Sequence, residues 1–310
     1  MVGVNEHEFL FCDRIAKVKA VVGKYGEENF YISFSGGKDS CVVSKLVDLA
    51  LPDNKIPRVF CNTGIEYRMI VDFVKALAES DPRIEIIMPR VPIKPMLERD
   101  GYPFKSKNHS EKVAIYRRDH SSECVRKYVN HEYNYAGQQC PKMLRYQFTE
   151  DFALNISDKC CENLKEKPIA EWQKANDRPY GILGLMREEG GRRSDALCMA
   201  MVGNKLKNFQ PLVAVTKEWE NWFIEEYNVA ICDIYKPPYS LERTGCAGCP
   251  FNPHLQETLE MLAEKMPFER QKCETIWKPV YEEYRRLGYR LKPSECMEGQ
   301  ISIEDYLKAM

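Results

Sequence analysis

The stretch from Ser35 to Ser40, SGGKDS, combines residue types that can hold a phosphate. Gly36 and Gly37 permit a tight turn that exposes backbone N–H groups, and Lys38 adds a mobile positive charge. The apolar run YISF precedes the stretch, and CVVSKLVDLA, with apolar residues at helical spacing, follows it. A strand, a glycine turn and a helix in this order direct free amides and the positive end of the helix toward an anion. The sequence therefore predicts a phosphate-binding loop.

Four of the thirteen cysteines form two close pairs, Cys160 with Cys161 and Cys246 with Cys249. Two short pairs far apart in a sequence are the usual layout of a four-thiolate metal site, because each pair supplies two ligands from one loop. Two directly adjacent cysteines, such as Cys160 and Cys161, are poorly placed to bind the same tetrahedral zinc ion. From the spacing alone, an iron–sulfur cluster, zinc and reduced structural thiols all remain open.

The segments around these motifs alternate between strand and helix patterns. Strands are predicted at 31–34, 58–64, 84–89, 179–186 and 229–235, and helices at 41–50 and 67–80. This alternation predicts an α/β fold, a parallel sheet flanked by helices with its ligand site at the carboxyl ends of the strands. We expect one domain over 1–253, with a largely helical insertion at 101–178 beside the site. A helical C-terminal extension is expected over 254–310, with one long helical pattern over 267–288.

The overall charge is balanced, since 45 lysine and arginine residues face 46 acidic residues and leave a net charge of −1. This balance gives no overall reason to bind nucleic acid or an anionic membrane. The sequence contains neither a run of about 18 apolar residues nor a signal-peptide pattern. We therefore expect a cytoplasmic protein with no membrane partner. The odd number of cysteines argues against a complete disulfide framework.

The SGGKDS stretch matches, residue for residue, the SGGxDS PP-loop of the adenine nucleotide alpha-hydrolase-like superfamily. Other segments resemble the phosphoadenosine phosphosulfate (PAPS/APS) reductase family within it, and together they cover most of residues 28 to 253. They are VFCNTGIEY (59–67), GYPFKSK (101–107), CCENLKEKPI (160–169), GLMREEGGRRS (184–194) and RTGCAGCPF (243–251). The resemblance identifies the chain as a member of that family and implies its Rossmann-like parallel sheet.

The resemblance also implies which residues form the sites. In the family the PP-loop grips the phosphates of ATP while the α-phosphate is attacked, and CC with CxxC binds one [4Fe–4S] cluster. The implied cluster ligands are Cys160, Cys161, Cys246 and Cys249. The implied nucleotide-binding residues are Ser35, Gly36, Gly37, Lys38, Asp39, Ser40, Thr63, Gly64, Lys105 and Arg187, with Arg192 or Arg193 as a second arginine. Lys38, Asp39, Lys165 and Arg187 take the implied catalytic roles, with Mg²⁺ as the bound ion.

Two departures from the family pattern bear on the reaction. Sulfonucleotide reductases end in Glu-Cys-Gly-Leu/Ile-His, whose cysteine attacks the sulfate sulfur, whereas here Gly-Leu-His does not follow Cys296. Those reductases also usually have a degraded phosphate loop, because their substrate lacks β- and γ-phosphates, and this chain keeps SGGKDS complete. The combination predicts an enzyme that cleaves ATP to AMP and pyrophosphate and thereby activates an acceptor for sulfur transfer. Its partners would be a sulfur donor or thiol reductant and an acceptor, for which a nucleic acid is one candidate.

Two alternatives stay open at this point. One is a true APS or PAPS reductase that produces sulfite through a covalent intermediate on Cys296. The other is a non-catalytic nucleotide-binding protein that uses the cluster as a redox sensor. The sequence also leaves open whether the protein forms a homo-oligomer.

Overall fold

The structure, a computed structural model, describes residues 5–134, 139–190 and 193–293. The described residues form two compact units, each assembled from two stretches of the chain. We call the first, which runs up to residue 90 and from 165 to 244, the sheet unit. The second, from 91 to 164 and from 245 onward, is the helical unit. The domain boundary at residue 253 stays a prediction.

The helices and strands have the following bounds. The helices are α1 (Glu6–Tyr25), α2 (Lys38–Ala50), α3 (Arg68–Ser80), α4 (Ile93–Asp100), α5 (Lys107–Arg118), α6 (Glu123–Val129), α7 (Lys167–Asn176), α8 (Lys217–Glu226), α9 (Leu255–Lys265), α10 (Pro267–Ile276) and α11 (Lys278–Leu287). The strands are β1 (Phe30–Ser33), β2 (Arg58–Cys61), β3 (Ile84–Ile87), β4 (Tyr180–Ile182), β5 (Met199–Val202) and β6 (Lys205–Phe209). None of the described helices is both long and apolar enough to cross a membrane.

The six strands form one sheet in the order β3-β2-β1-β4-β6-β5, and it lies in the sheet unit. Neighbouring strands are parallel except β5 and β6, which form an antiparallel hairpin. The chain leaves β1 toward β2 on one side, while β4 pairs with β1 on the other side. Such a reversal of strand order opens a crevice outside the carboxyl ends of the strands. The predicted α/β fold, with a mostly parallel sheet flanked by helices, is confirmed.

The helix after β1 is held firmly at this crevice. Phe30 and Ile32 of β1 and Val42 and Leu46 of α2 are fully buried. Val42 and Leu46 are four residues apart and therefore lie on the same face of α2. Helix α2 contacts β1, α1 and α8, so the start of the helix is fixed against elements from both stretches of the sheet unit.

The sheet differs from the sequence prediction at its far end. Residues 229–235 were expected as a strand, but they are irregular and end in a 3₁₀ turn at Asp233–Tyr235. The place beside β4 belongs to β6, whose segment KLKNF has too few apolar residues to read as a strand. The apolar side chains at 229–235 are instead buried by tertiary packing, with Cys232 2% and Ile234 0% exposed.

The C-terminal helical pattern, expected as one long helix, forms two helices. Helix α10 ends at Ile276 and α11 begins at Lys278, with Trp277 between them. Pro279 lies in the first turn of α11, where the N–H that proline lacks would have no helical partner. In the interior of one continuous helix the same proline would remove a hydrogen bond and break the helix.

Candidate functional site

The predicted phosphate-binding loop joins β1 to α2 at the crevice. Gly36 has a φ of +70°, and a Cβ there would lie 2.7 Å from Cγ2 of Val74, so the position requires glycine. Gly37 is the N-cap residue of α2, and no side chain caps the helix. The hydroxyl of Ser35 accepts the N–H of Gly37 at 3.3 Å, and the hydroxyl of Ser40 donates to the Gly37 carbonyl at 2.8 Å. The loop therefore offers the positive end of α2 to an anion.

Two residues that the sequence analysis did not identify lie against this loop. A Cβ on Gly37 would come within 3.3 Å of the Tyr235 hydroxyl and 3.7 Å of Oγ1 of Thr244. The two hydroxyls are hydrogen-bonded to each other, and Nζ of Lys38 lies 5.5 Å from the centre of the Tyr235 ring. Burial raises the pKa of Tyr235, so the phenol stays protonated and can donate. Tyr235 was missed because 229–235 read as a strand, and Thr244 because RTGCAGCPF was interpreted only through its cysteines.

A buried carboxyl group faces the first turn of α2. Glu220 of α8 is 2% exposed, and within the described ranges its Oε1 has no hydrogen-bond partner. Burial and the adjacent Asp39 carboxyl raise the pKa of Glu220 to about 8, while Lys38 and Lys217 act in the opposite direction. Two carboxyl groups in contact need a proton or a cation between them. In sequence, Glu220 reads as an ordinary helical surface charge.

The end of β4 brings an arginine to the same turn. A Cβ on Gly184 would lie 2.5 Å from the carbonyl oxygen of Asp39, so the segment that follows β4 approaches α2 closely here. Burial lowers the pKa of Arg193, with a further lowering from Arg243 and an opposing effect of Asp39. Arg187, by contrast, is exposed, and its Nε donates to the carbonyl of Ala196 at 2.7 Å. Arg192 lies outside the described residues.

The NTG block forms a tight turn after β2. Both the N–H and the hydroxyl of Thr63 donate to the carboxylate of Glu66 at 2.8 Å, and Gly64 has a φ of +85°. Nζ of Lys165 lies 3.4 Å from Oε1 of Glu66, which is 7% exposed. Burial and Glu66 raise the pKa of Cys61 to about 11, and Lys165 acts against this rise. Lys165, expected to have a catalytic role, thus lies beside the NTG block.

The four paired cysteines all belong to the helical unit. Cys160 is 4% exposed, and the other three are half-buried. Cys246 and Cys249 lie at the two ends of a turn. In this turn the N–H of Cys249 donates to the Cys246 carbonyl at 3.2 Å, and Gly248 has a φ of +59°. Across residues 5–134, 139–190 and 193–293, no group of three or more His, Cys, Asp or Glu side chains is arranged to hold a metal ion. The cluster therefore stays a prediction.

The turn between Cys246 and Cys249 is held by Trp277, Tyr281 and Tyr284. These three rings are spaced four and three residues apart, so they line one face at the start of α11. They donate, in order, to the carbonyl oxygens of Ala247 (2.9 Å), Gly248 and Pro250 (2.9 Å). All three are buried, so their hydrogen bonds replace those that water would make to the turn.

Lys105, expected at the nucleotide, also lies in the helical unit. It follows the GYPF segment with a φ of +56°, and its backbone N–H donates to the hydroxyl of Tyr284 at 2.7 Å. Its backbone is therefore tied to the helix that holds the cysteine turn.

The chain is similar to known proteins over most of its length. The family model described as "Phosphoadenosine phosphosulfate reductase domain" matches residues 29–252. A relative from Methanocaldococcus jannaschii, the uncharacterized protein MJ0973, is 33% identical over 103 residues. That match spans 30% of this chain but only 25% of the relative.

Similar solved structures include two enzymes of known activity. The phosphoadenylyl-sulfate reductase of Candida auris, solved as a phosphate complex, is 10% identical with a TM-score of 0.43, over 75% of this chain and 93% of that one. The U34-tRNA thiolase NcsA of Methanococcus maripaludis, solved with its [4Fe-4S] cluster, is 14% identical with a TM-score of 0.39, over 96% and 85% of the two chains. At such identities and TM-scores, these likenesses carry no information about the reaction.

Proposed function

Because the chain belongs to the phosphoadenosine phosphosulfate reductase domain family, we propose that it binds ATP in the PP-loop and cleaves it to AMP and pyrophosphate. In this reaction an atom of the acceptor would bond to the α-phosphate as pyrophosphate leaves. A sulfur nucleophile would then displace AMP from the adenylated acceptor. The observation that carries the proposal is the complete loop from Ser35 to Ser40, with Lys38 at the uncapped start of α2. A sulfonucleotide has no β- and γ-phosphates for such a loop to hold, whereas ATP has both.

The loop residues would act mainly on the leaving pyrophosphate. Lys38 and the first amides of α2 would stabilise the negative charge that grows on the β- and γ-phosphates as the bond to the α-phosphate breaks. Tyr235, whose hydroxyl stays protonated, would restrict the position of the Lys38 ammonium under its ring. The charge of Asp39 acts on the pKa of Arg193. Arg193 would add a bidentate contact to phosphate oxygens.

The Mg²⁺ implied by such a reaction fits the pair formed by Asp39 and Glu220. Mg²⁺ is usually bound through one or two carboxylates together with substrate phosphates and water. The unpartnered, buried Oε1 of Glu220 and the adjacent Asp39 carboxyl supply that donor set beside the loop. When bound, the ion would neutralise charge on the pyrophosphate. The resemblance implies no role for Glu220, so this assignment depends on the packing of α8 against α2.

The implied [4Fe–4S] cluster is supported by donor type more than by geometry. Four thiol groups lie in one unit, and the Cys246–Cys249 turn is held by three buried rings. The described residues contain no assembled group of ligands, so the proposed reaction includes no step at the cluster. A sulfur donor, a nucleic-acid acceptor and a homo-oligomer stay proposals without a residue assigned to them.

The experiment is a turnover assay on protein purified without oxygen, with ATP, APS and PAPS compared under identical conditions. We expect AMP and pyrophosphate from ATP and no sulfite from APS or PAPS. Thiol-dependent sulfite release that is lost in Cys296→Ser would establish the reductase alternative; Cys296 lies outside the described residues. Nucleotide binding with no turnover of any of the three would favour the redox-sensor alternative.

A further inference from the structure

The helical unit contains a cavity of about 480 Å³ that is lined by residues 146–154 and by helix α11. The rings of Tyr146 and Phe152 and the apolar side chains of Leu154 and Pro279 form part of its wall. A cavity of this size can hold a molecule as large as a nucleoside, and such sites combine an apolar wall with a few polar groups that orient the ligand. None of the lining residues has a role in the proposed ATP reaction.

The aromatic wall of the cavity is held in place by its own contacts. The rings of Tyr146 and Phe152 meet edge to face, with their centres 5.4 Å apart. Arg117 donates to the carbonyl oxygens of Phe152 at 2.9 Å and of Leu154 at 2.7 Å, and its guanidinium lies 5.8 Å from the centre of the Phe152 ring. The hydroxyl of Thr149 donates to the carbonyl of Tyr146 at 2.8 Å. A ligand would therefore meet a preformed aromatic surface, so little ordering entropy would be lost on binding.

Arg286 brings hydrogen-bond donors to the cavity from α11. Its Nε and Nη2 donate to the two carboxylate oxygens of Glu283 at 2.7 and 2.9 Å, and its guanidinium lies 5.2 Å from the centre of the Tyr146 ring. Burial acts to raise the pKa of Glu283, but the hydrogen bonds from Arg286 and from the Tyr146 hydroxyl outweigh it and lower this pKa. Glu283 is therefore ionised and holds the guanidinium in one position. Within the described ranges, Nη1 of Arg286 has no hydrogen-bond partner, so its two N–H groups can donate to a ligand.

The carboxylate of Asp151 supplies acceptors to the same cavity. Asp151 is exposed, and in the part of the chain that the structure describes its carboxylate makes no hydrogen bond or ion pair. The ionised groups among the described lining residues are two carboxylates and one guanidinium, so negative charge is in excess. The cavity therefore favours a ligand that has a flat apolar face and N–H donors, and it disfavours a phosphate in contact with these groups.

We propose that this cavity binds a guanine base. The two oxygens of the Asp151 carboxylate accept the N1–H and the 2-amino group of guanine, and Nη1 of Arg286 donates to its O6 or N7. Among the common bases, only guanine presents two neighbouring N–H donors beside a carbonyl oxygen on one edge, and a ring of the aromatic wall stacks on its face. The proposal does not rest on the ATP reaction, and Arg286 lies beyond residue 252, where the family match ends. The same base is offered by a free nucleotide and by an unpaired position of a nucleic acid.

The test is hydrogen exchange on the full chain, read by mass spectrometry at residues 146–154 and at the PP-loop, 35–42. Guanosine 5′-monophosphate is titrated and compared with inosine 5′-monophosphate, which lacks only the 2-amino group. We expect saturable protection of 146–154 by the guanine nucleotide. The inosine nucleotide should bind about tenfold more weakly or worse, because it loses one hydrogen bond to a charged group.

Asp151→Asn should weaken binding of the guanine nucleotide by about tenfold or more and remove most of the difference between the two nucleotides. Glu150→Gln is the matched control. Glu150 precedes Asp151 in the chain but does not line the cavity, and its side chain is 82% exposed, so this change should leave both titrations as they were.

A single-stranded oligothymidine with one central guanine distinguishes the two sources of the base. Protection of 146–154 at a concentration at least tenfold below that of the guanine nucleotide would identify a nucleic acid, and a similar or higher concentration would identify a free nucleotide. The proposal is overturned if neither probe protects 146–154 saturably, if the guanine and inosine nucleotides bind equally, or if Asp151→Asn binds as the original protein does. Protection confined to 35–42 would contradict it as well. Pyrophosphate release from ATP, measured separately, tests the proposed function alone.

Discussion

Glu220 on α8 lies against Asp39 in the first turn of α2, so two carboxyl groups meet beside the phosphate-binding loop. Their contact is favourable only when a proton or a cation is shared between them. This relationship connects a residue of the loop motif with one for which the family resemblance implies no role. It also makes the role of Glu220 measurable without knowledge of the sulfur acceptor.

Glu220→Gln should weaken the dependence of pyrophosphate release on Mg²⁺. The amide keeps the shape of the side chain but removes a charged ligand, so the Mg²⁺ concentration for half-maximal activity should rise by about tenfold or more. Glu218→Gln, on the same helix with its side chain 84% exposed, is the control. An unchanged Mg²⁺ requirement in Glu220→Gln would show that the carboxyl pair shares a proton instead of a metal ion.

Lys38→Ala should weaken ATP binding much more than AMP binding. A charge-assisted contact to phosphate contributes about 1.5–3 kcal/mol, which corresponds to about ten- to a hundredfold in affinity. Calorimetric titration with both nucleotides measures this difference. Lys45→Ala, seven residues further along α2, should affect neither nucleotide. Equal losses for ATP and AMP would mean that Lys38 does not contact the leaving pyrophosphate.

Cys246→Ser should remove bound iron if the paired cysteines hold the cluster. Protein purified without oxygen should be brown and contain about four irons and four sulfides per chain. Metal and sulfide analysis of the variant should give almost none, whereas Cys12→Ser, at an exposed position on α1, should keep the full amount. Colourless protein with one zinc per chain would contradict the iron–sulfur assignment.

Tyr281→Phe should destabilise the helical unit around the cysteine turn. The change leaves the carbonyl of Gly248 without its buried donor, at a cost of about 1–3 kcal/mol in the free energy of unfolding. Urea unfolding measures this loss, and Tyr116→Phe on α5 is the control. If the turn also positions cluster ligands, the iron content of Tyr281→Phe should fall as well. A stability equal to that of the original protein would mean that the turn finds another donor.

His109 should make the protein less stable in mild acid. Burial lowers its pKa to about 4 in the folded state, against about 6.5 in an unfolded chain. Between these pH values the unfolded state binds more protons than the folded state. The contribution of neutral His109 to stability is therefore fully present above about pH 6.5 and is lost as the pH falls toward 4. The slope is at most about 1.4 kcal/mol per pH unit.

Urea unfolding at pH 7 and pH 5 measures this effect. His109→Gln should lose part of the pH dependence, and the exposed His120→Gln should retain it. His109 is hydrogen-bonded to Tyr128 (2.9 Å) and Gln147 (2.7 Å). Because His109→Gln changes both bonds, we also expect this variant to be less stable at every pH. Identical pH slopes in the original protein and His109→Gln would rule out this titration.

The phosphate-binding loop and the positions of the first three strands could be predicted from the sequence because they depend on contiguous residues. Gly36 and Gly37 between an apolar strand and an amphipathic helix specify a turn almost by themselves, and Gly36 indeed has a positive φ. The NTG turn after β2 is local in the same way, since Thr63 bonds to Glu66 only three residues away. The family membership follows from such local segments in their order along the chain.

Contacts between distant residues could not be read from the sequence, and they decided the rest of the site. Tyr235 reaches the loop only because 229–235 packs as an irregular segment, since β6 occupies the place beside β4. Glu220 reads as a surface charge until α8 packs on α2 and buries it. Likewise, the spacing of Trp277 and Tyr281 indicates one helical face but not that this face bonds to the cysteine turn. Periodicity along the chain tells which residues share a face, while the partner of that face depends on long-range packing, which only the tertiary structure supplies.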